Sequence, residues 1–177
     1  PTVLVGDEVE VTGNGSEFQP GGPPTSNLTT TEIVGPTVVL LSSGNPLPAA
    51  VVLGAAGRLP PTEVIDDDAF ATFDPASDGI DFYETLEGMV VTIDGAVAVS
   101  ARNRFDETFT VADGGVGATR INARGGITVA ESDFNPERIQ VQLDANLTPG
   151  FDPAVTTGDA LDGVVGVVSY AFGNFEV

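Results

Sequence analysis

The chain has 177 residues, 41% of them apolar, enough for one large or two small domains and too apolar for a disordered segment. Six arginines and no lysine stand against 26 acidic residues, and the formal charge of −20 repels polyanions and favours a salty or calcium-rich, extracellular setting. Histidine, cysteine and tryptophan are absent, which removes the usual general base, thiolate metal sites and disulfides, and no apolar run approaches the roughly 20 residues that a membrane-spanning helix needs.

Between 22 glycines and 13 prolines the chain is rich in valine and threonine, a composition that predicts an all-β fold. In chain order the predicted strands are Asp7–Gly13, Asn27–Ile33, Thr37–Leu41, Ala49–Leu53, Met89–Val99, Glu107–Ala112, Gly126–Val129, Arg138–Leu143, Val164–Tyr170 and Asn174–Val177. Glu8-Val9-Glu10-Val11-Thr12 alternates polar and apolar positions as a half-buried strand does, and Val97, Val99, Phe109 and Val111 continue the pattern. Gln19–Ser26, dense in Gly and Pro, and Arg58–Glu84 read as long irregular connections.

The second of these connections holds the densest acidic segment: Asp66-Asp67-Asp68, then Asp74-Pro75-Ala76-Ser77-Asp78-Gly79-Ile80-Asp81, then Glu84 and Glu87. Calcium takes about six to eight oxygen ligands, and a glycine such as Gly79 lets a loop fold around the ion. Asp66, Asp68, Asp74, Asp78, Asp81 and Glu84 are therefore the candidate Ca²⁺ ligands, although their spacing departs from the EF-hand loop. The alternative is a solvated loop whose aspartates make Asx-turns before Pro75 and Gly79. A looser group, Asp144, Asp152, Asp159 and Asp162, is explained by turn chemistry. Asn14-Gly15-Ser16, Asn27-Leu28-Thr29 and Asn146-Leu147-Thr148 fit the short N-glycosylation pattern, which arises often by chance. Arg102, Arg104, Arg120 and Arg124 form the only basic grouping; with Phe105 they could meet a nucleic-acid strand, but Asp106, Glu107 and Asp113 make internal salt bridges the favoured use.

Gly6–Phe18 and Gly158–Phe172 share a Gly-Asp turn, a valine strand, then Ser and aromatics, a weak internal repeat. It predicts that the chain opens with the closing hairpin of one small barrel and ends with that of a second. A hairpin without its barrel leaves strand edges open, and three outcomes are the expectation: the chain is a fragment, the hairpin packs on the second barrel, or a neighbouring subunit supplies the missing strands by β-augmentation, which would make a polymer.

Three segments carry a resemblance to a known family: Val5–Phe18 with Asn27–Ile33; Phe73–Met89, the most specific; and Gly163–Val177. They resemble the non-catalytic, OB-like β-barrel region of bacterial extracellular nucleases of the endonuclease/exonuclease/phosphatase type and of related phytase-like cell-surface proteins. The resemblance implies an accessory role, and that family's metal-dependent active site, which uses histidine, has no counterpart here.

The expected organisation is an all-β chain with an N-terminal hairpin region over 1–57, an acidic connecting loop over 58–84 and an OB-like β-barrel or sandwich over 85–177. The expected function is an extracellular structural module, not an enzyme, that self-associates through strand edges and is stabilised by Ca²⁺, without membrane insertion and with nucleic acid disfavoured as a partner. The alternative is a spacer or weak substrate-binding domain of a secreted nuclease or phosphatase. A stand-alone metal-dependent hydrolase rests only on the clustering of acids.

Overall fold

A computed structural model describes residues 2–143 and 152–177, and the all-β expectation holds in it. The strands are β1 (Glu8–Phe18), β2 (Thr30–Ser42), β3 (Val51–Leu53), β4 (Val90–Ile93), β5 (Ala96–Ala98), β6 (Glu107–Val111), β7 (Ile139–Gln142), β8 (Ala160–Leu161), β9 (Val165–Val167), β10 (Ser169–Ala171) and β11 (Asn174–Glu176). One α-helix, α1 (Gly79–Glu84), and one 3-10 turn, Asp113–Gly115, accompany them among the described residues.

The chain divides into two compact units, Pro1–Ala49 with Tyr170–Gly173, and Ala50–Ser169 with Asn174–Val177. The first is built on an antiparallel two-stranded ribbon, β1 against β2, running from Glu8↔Ser42 to Phe18↔Thr30. The sequence suggested two strands separated by Val34-Gly35-Pro36. Instead β2 runs through them, and the register shifts between Thr12 and Asn14 on the opposite strand. Gly13 permits this close passage, because a Cβ there would lie 2.5 Å from the Ile33 side chain and 2.9 Å from the Val34 carbonyl. No residue of the ribbon is buried. In the same unit the Leu28 N–H donates to the Tyr170 hydroxyl at 3.1 Å.

In the second unit β3 lies parallel to β4, and β4 antiparallel to β9. A larger sheet runs β8-β5-β6-β7-β11, antiparallel except for the parallel β7–β11 pair. The predicted strand Met89–Val99 breaks at Asp94-Gly95, where Gly95 adopts φ +54°, and its halves enter different sheets. Leu53, Val91 and Ile93 from the smaller sheet, Ala96, Ile139 and Val141 from the larger, and Phe82, Tyr83 and Leu86 in and just after α1 form one core. Each fully buried large apolar side chain contributes about 1.5–3 kcal/mol. Tyr83 stacks on Phe175 with ring centroids 5.3 Å apart, and burial, with the Glu137 charge adding, pushes its phenol well above the ordinary tyrosine range.

Two expectations need correction. The sheets stay open, so no closed OB-like barrel forms among the described residues; β3, β5 and β8 to β11 are only two or three residues long, too short to wrap around a barrel axis. The predicted strand Gly126–Val129 is irregular apart from a single Ile121↔Ile127 bridge, its turn held by the Asn122 side chain, which accepts the Arg124 and Gly126 N–H groups.

Candidate metal centre

Segment 58–84 contains the short helix that sequence reasoning missed. Gly79, Ile80, Phe82 and Tyr83 are poor or middling helix formers, so local propensity conceals it. Tertiary packing overrides propensity, because six helical residues are enough to seat Phe82 and Tyr83 in the core. A signal was nevertheless present: Asp78 at the N-cap position with Asp81 in the first turn is an acidic helix start.

The way this segment folds brings its acids together. The Gly79 N–H donates to the Val64 carbonyl and the Ile80 N–H to the Ile65 carbonyl, both at 3.1 Å. Those two bonds lay Val64-Ile65 beside the helix start and deliver Asp66 to Asp68 to Asp78. From the other side, the Asp74 carbonyl accepts the Ser77 and Asp78 N–H groups at 2.9 and 3.1 Å, a tight turn whose second position Pro75 suits. The Asp74 N–H then donates to Asp81 Oδ2 at 2.7 Å, pinning that turn onto the helix.

Two triads result, Asp66/Asp68/Asp78 and Asp74/Asp78/Asp81, and in each triad one carboxylate oxygen per residue lies within 4.8 Å of the others. Asp78 belongs to both. Of the six candidate ligands, five are thus brought together, and Glu84 lies at the far end of α1, outside both triads.

The members differ in how their oxygens are used. Asp66 Oδ1 accepts the Phe70 N–H at 3.1 Å and Asp68 Oδ1 the Ala71 N–H at 2.8 Å, local loop bonds to the fourth and third residues on, whereas at Asp74 and Asp78, where Asx-turns were expected, Oδ1 is buried without a partner. A hydrogen bond from the Thr72 side chain, joined by backbone donors, holds the Asp68 carboxyl below its ordinary range. Asp78 is 1% exposed; it makes no capping bond to its helix, its Oδ2 accepts only a long 3.4 Å bond from the Asp67 N–H, and its Oδ1 is buried with no partner. Asp74 Oδ1 is also buried without a partner. Burial pushes the Asp78 carboxyl above the ordinary aspartate range, and the charges of Asp74, Asp67 and Asp66 add to the rise against the Asp67 N–H bond. Among the described residues no arginine forms an ion pair with these triads; Arg102 is held by Asp106 at 2.6 Å and Asp152 at 2.5 Å, and Arg120 reaches Asp133 at 3.6 Å.

The other acidic and basic groups have local uses. Asp159 Oδ2 accepts the Thr156 N–H and hydroxyl, which is turn chemistry, and Asp152 is an ion-pair partner. Asp144, Asn146-Leu147-Thr148 and Pro149 lie outside the described residues. The Arg104 guanidinium sits 4.6 Å from the centre of the Phe105 ring, the face that nucleic-acid stacking would use.

Sequence reading overlooked a second buried polar group. Asp133, Asn135 and Glu137 are all buried, and Glu137 Oε1 accepts both the N–H and the hydroxyl of Thr119 at 2.6 Å. Asn135 Oδ1 accepts the Ala130 N–H and its Nδ2 donates to the Thr119 hydroxyl at 2.8 Å. These side chains satisfy backbone that has no strand to join. The alternating Asp-x-Asn-x-Glu of residues 133–137 was the available signal, and it is easily read as an exposed turn.

Residues 52–177 match the family described as Domain of unknown function (DUF8508), an all-β domain here with an acidic cluster beside its helix, and the chain belongs to that family. No curated protein and no solved structure matches the chain.

Proposed function

We propose that this chain is a non-catalytic, extracellular structural β-module whose acidic segment is clamped by Ca²⁺. The observation that carries the reading is Asp78, a carboxylate buried to 1% exposure among other acids with one oxygen unpartnered. An uncompensated buried charge is costly, and a divalent cation held by several carboxylates offsets that cost directly. Calcium fits better than magnesium because it accepts six to eight oxygens in flexible geometry, whereas magnesium demands a near-ideal octahedron and keeps its waters. Calcium sites of extracellular modules work at about 10⁻⁴ to 10⁻³ M, concentrations met outside cells. The zero histidine count supports the non-catalytic part of the reading.

Self-association with a second copy belongs to the same proposal, and the ribbon favours it. Val9 pairs with Leu40 and Val11 with Val38, so one face carries four apolar side chains, none of them buried. Among the described residues no further strand pairs with the outer edge of β1 or of β2. At a charge of −20 copies repel one another until cations screen them, which ties assembly to calcium.

Thermal unfolding in EDTA, then in millimolar Ca²⁺ or Mg²⁺, tests the clamp. Ca²⁺ raises the midpoint and Mg²⁺ raises it less; equal midpoints in EDTA and Ca²⁺ would refute it. Sedimentation velocity under the same conditions tests assembly, and monomers throughout would remove that part.

A further inference from the structure

The two triads meet at a single side chain, and this determines how many cations the segment takes. We infer that the acidic segment holds two divalent cations bridged by Asp78, one with Asp74 and Asp81 and the other with Asp66 and Asp68. The inference rests on the calcium reading and deepens it from a site to a paired site.

The two triads are distinct ligand sets: apart from Asp78 they share no residue, and their other members come from different stretches of chain. Asp66 and Asp68 follow Val64 and Ile65 on the irregular segment bonded to the helix start, and Asp74 lies on the turn pinned to α1 by Asp81. A carboxylate has two oxygens and about four lone-pair directions, so one aspartate can serve two cations. Asp78 has that capacity free, with Oδ1 unpartnered and Oδ2 engaged only by a 3.4 Å bond.

Charge points the same way. With all five carboxylates ionised, one divalent cation leaves three negative charges in a partly buried cluster, and two leave one. Like charges confined in a medium of reduced dielectric repel strongly, and the second cation removes most of that repulsion. The Asp74/Asp78/Asp81 triad is the tighter of the two. It contains the unpartnered buried oxygens Asp74 Oδ1 and Asp78 Oδ1, and Asp81 is only 9% exposed. In the other triad Asp66 and Asp68 each already accept a backbone N–H, and binding there competes with those bonds.

The test is titration of the full chain with Ca²⁺ by isothermal calorimetry in 150 mM KCl, which suppresses loose counterion binding. The expected result is two equivalents per chain, with the second weaker by about tenfold or more because the two cations repel across a shared ligand. Asp74→Asn is expected to remove the tighter equivalent and Asp66→Asn the weaker one, each leaving the other measurable. Asp78→Asn is expected to remove both, with far-UV circular dichroism confirming that the β fold persists. One equivalent in the unaltered chain, or Asp66→Asn and Asp74→Asn abolishing the same equivalent, overturns the bridged pair and leaves the single clamp standing. No saturable Ca²⁺ binding at all overturns the clamp itself. The two single-site variants keep the inference falsifiable even if Asp78→Asn fails to fold.

Discussion

The β1–β2 ribbon and the sheets of the second unit are written in the same residues and end in opposite environments. Val9, Val11, Val38 and Leu40 alternate as cleanly as Val91, Ile93, Ile139 and Val141, yet the first four remain in or near solvent while the last four are buried. Alternation specifies a pleated strand with one apolar face, and it says nothing about whether another layer covers that face. The second unit supplies the cover with α1 and a second sheet. The ribbon, as a lone two-stranded sheet, has none within itself, and such a sheet is marginal in water.

The sharpest way to break this contrast is truncation on each side of it. Leu86, fully buried in the core, is expected to cost about 2–5 kcal/mol on replacement by alanine, read as a lowered urea midpoint. Leu40→Ala in the ribbon, half exposed, is expected to stay within about 0.5 kcal/mol and to act on sedimentation behaviour instead. Equal losses at both positions would show that the ribbon has a cover of its own.

Gly79→Ala is the next largest. A Cβ there would sit 2.3 Å from Cβ of Pro136, a clash that no rotamer relieves, so about 1–3 kcal/mol of stability is expected to be lost. Because Gly79 begins the helix that carries Asp81, calcium affinity falls with it. A fully stable variant that still binds calcium normally would place the start of α1 differently.

Asp78→Asn gives a smaller effect whose sign depends on the cation. In EDTA the substitution removes a buried, poorly partnered charge and is expected to raise the melting midpoint; in saturating Ca²⁺ the unaltered chain is expected to be the more stable of the two. An Asp78→Asn protein that is less stable under both conditions would mean that the carboxylate is satisfied without metal.

These positions also show where the sequence was readable. The strand class followed from Val, Thr, Gly and Pro, and β1, β6, β7 and β11 lie close to where alternation puts them. The candidate acidic ligands were legible as composition, but their division into two triads was not. That division depends on the backbone bonds from Gly79 to Val64 and from Ile80 to Ile65, contacts across a loop that no local pattern encodes. The same applies to α1, which forms because Phe82 and Tyr83 have a core to enter. Barrel closure was inferred from a repeat of turn and valine strand, a pattern equally compatible with open sheets.

The smallest effect lies in the ribbon unit and separates the two regions by pH. Hydrogen bonds from the side chain of Ser43 and the N–H of Leu4 hold the Asp7 carboxyl below its ordinary range, and bonds from the side chains of Thr29 and Thr31 do the same for Glu17. A carboxylate whose pKa is lower folded than unfolded adds stability that is fully present above its unfolded value and fades as pH falls through the folded one. The loss therefore sets in below about pH 5 and grows as pH falls through the folded values. Glu17 is exposed and Asp7 half-buried, and both lie in the ribbon unit, so the effect is local: amide protons of β1 and β2 are expected to lose protection between pH 5 and pH 2.5, while those of β6 and β7 keep theirs. Hydrogen exchange across that range, corrected for intrinsic rates, reads the difference, and a parallel loss in both units would show that they unfold as one.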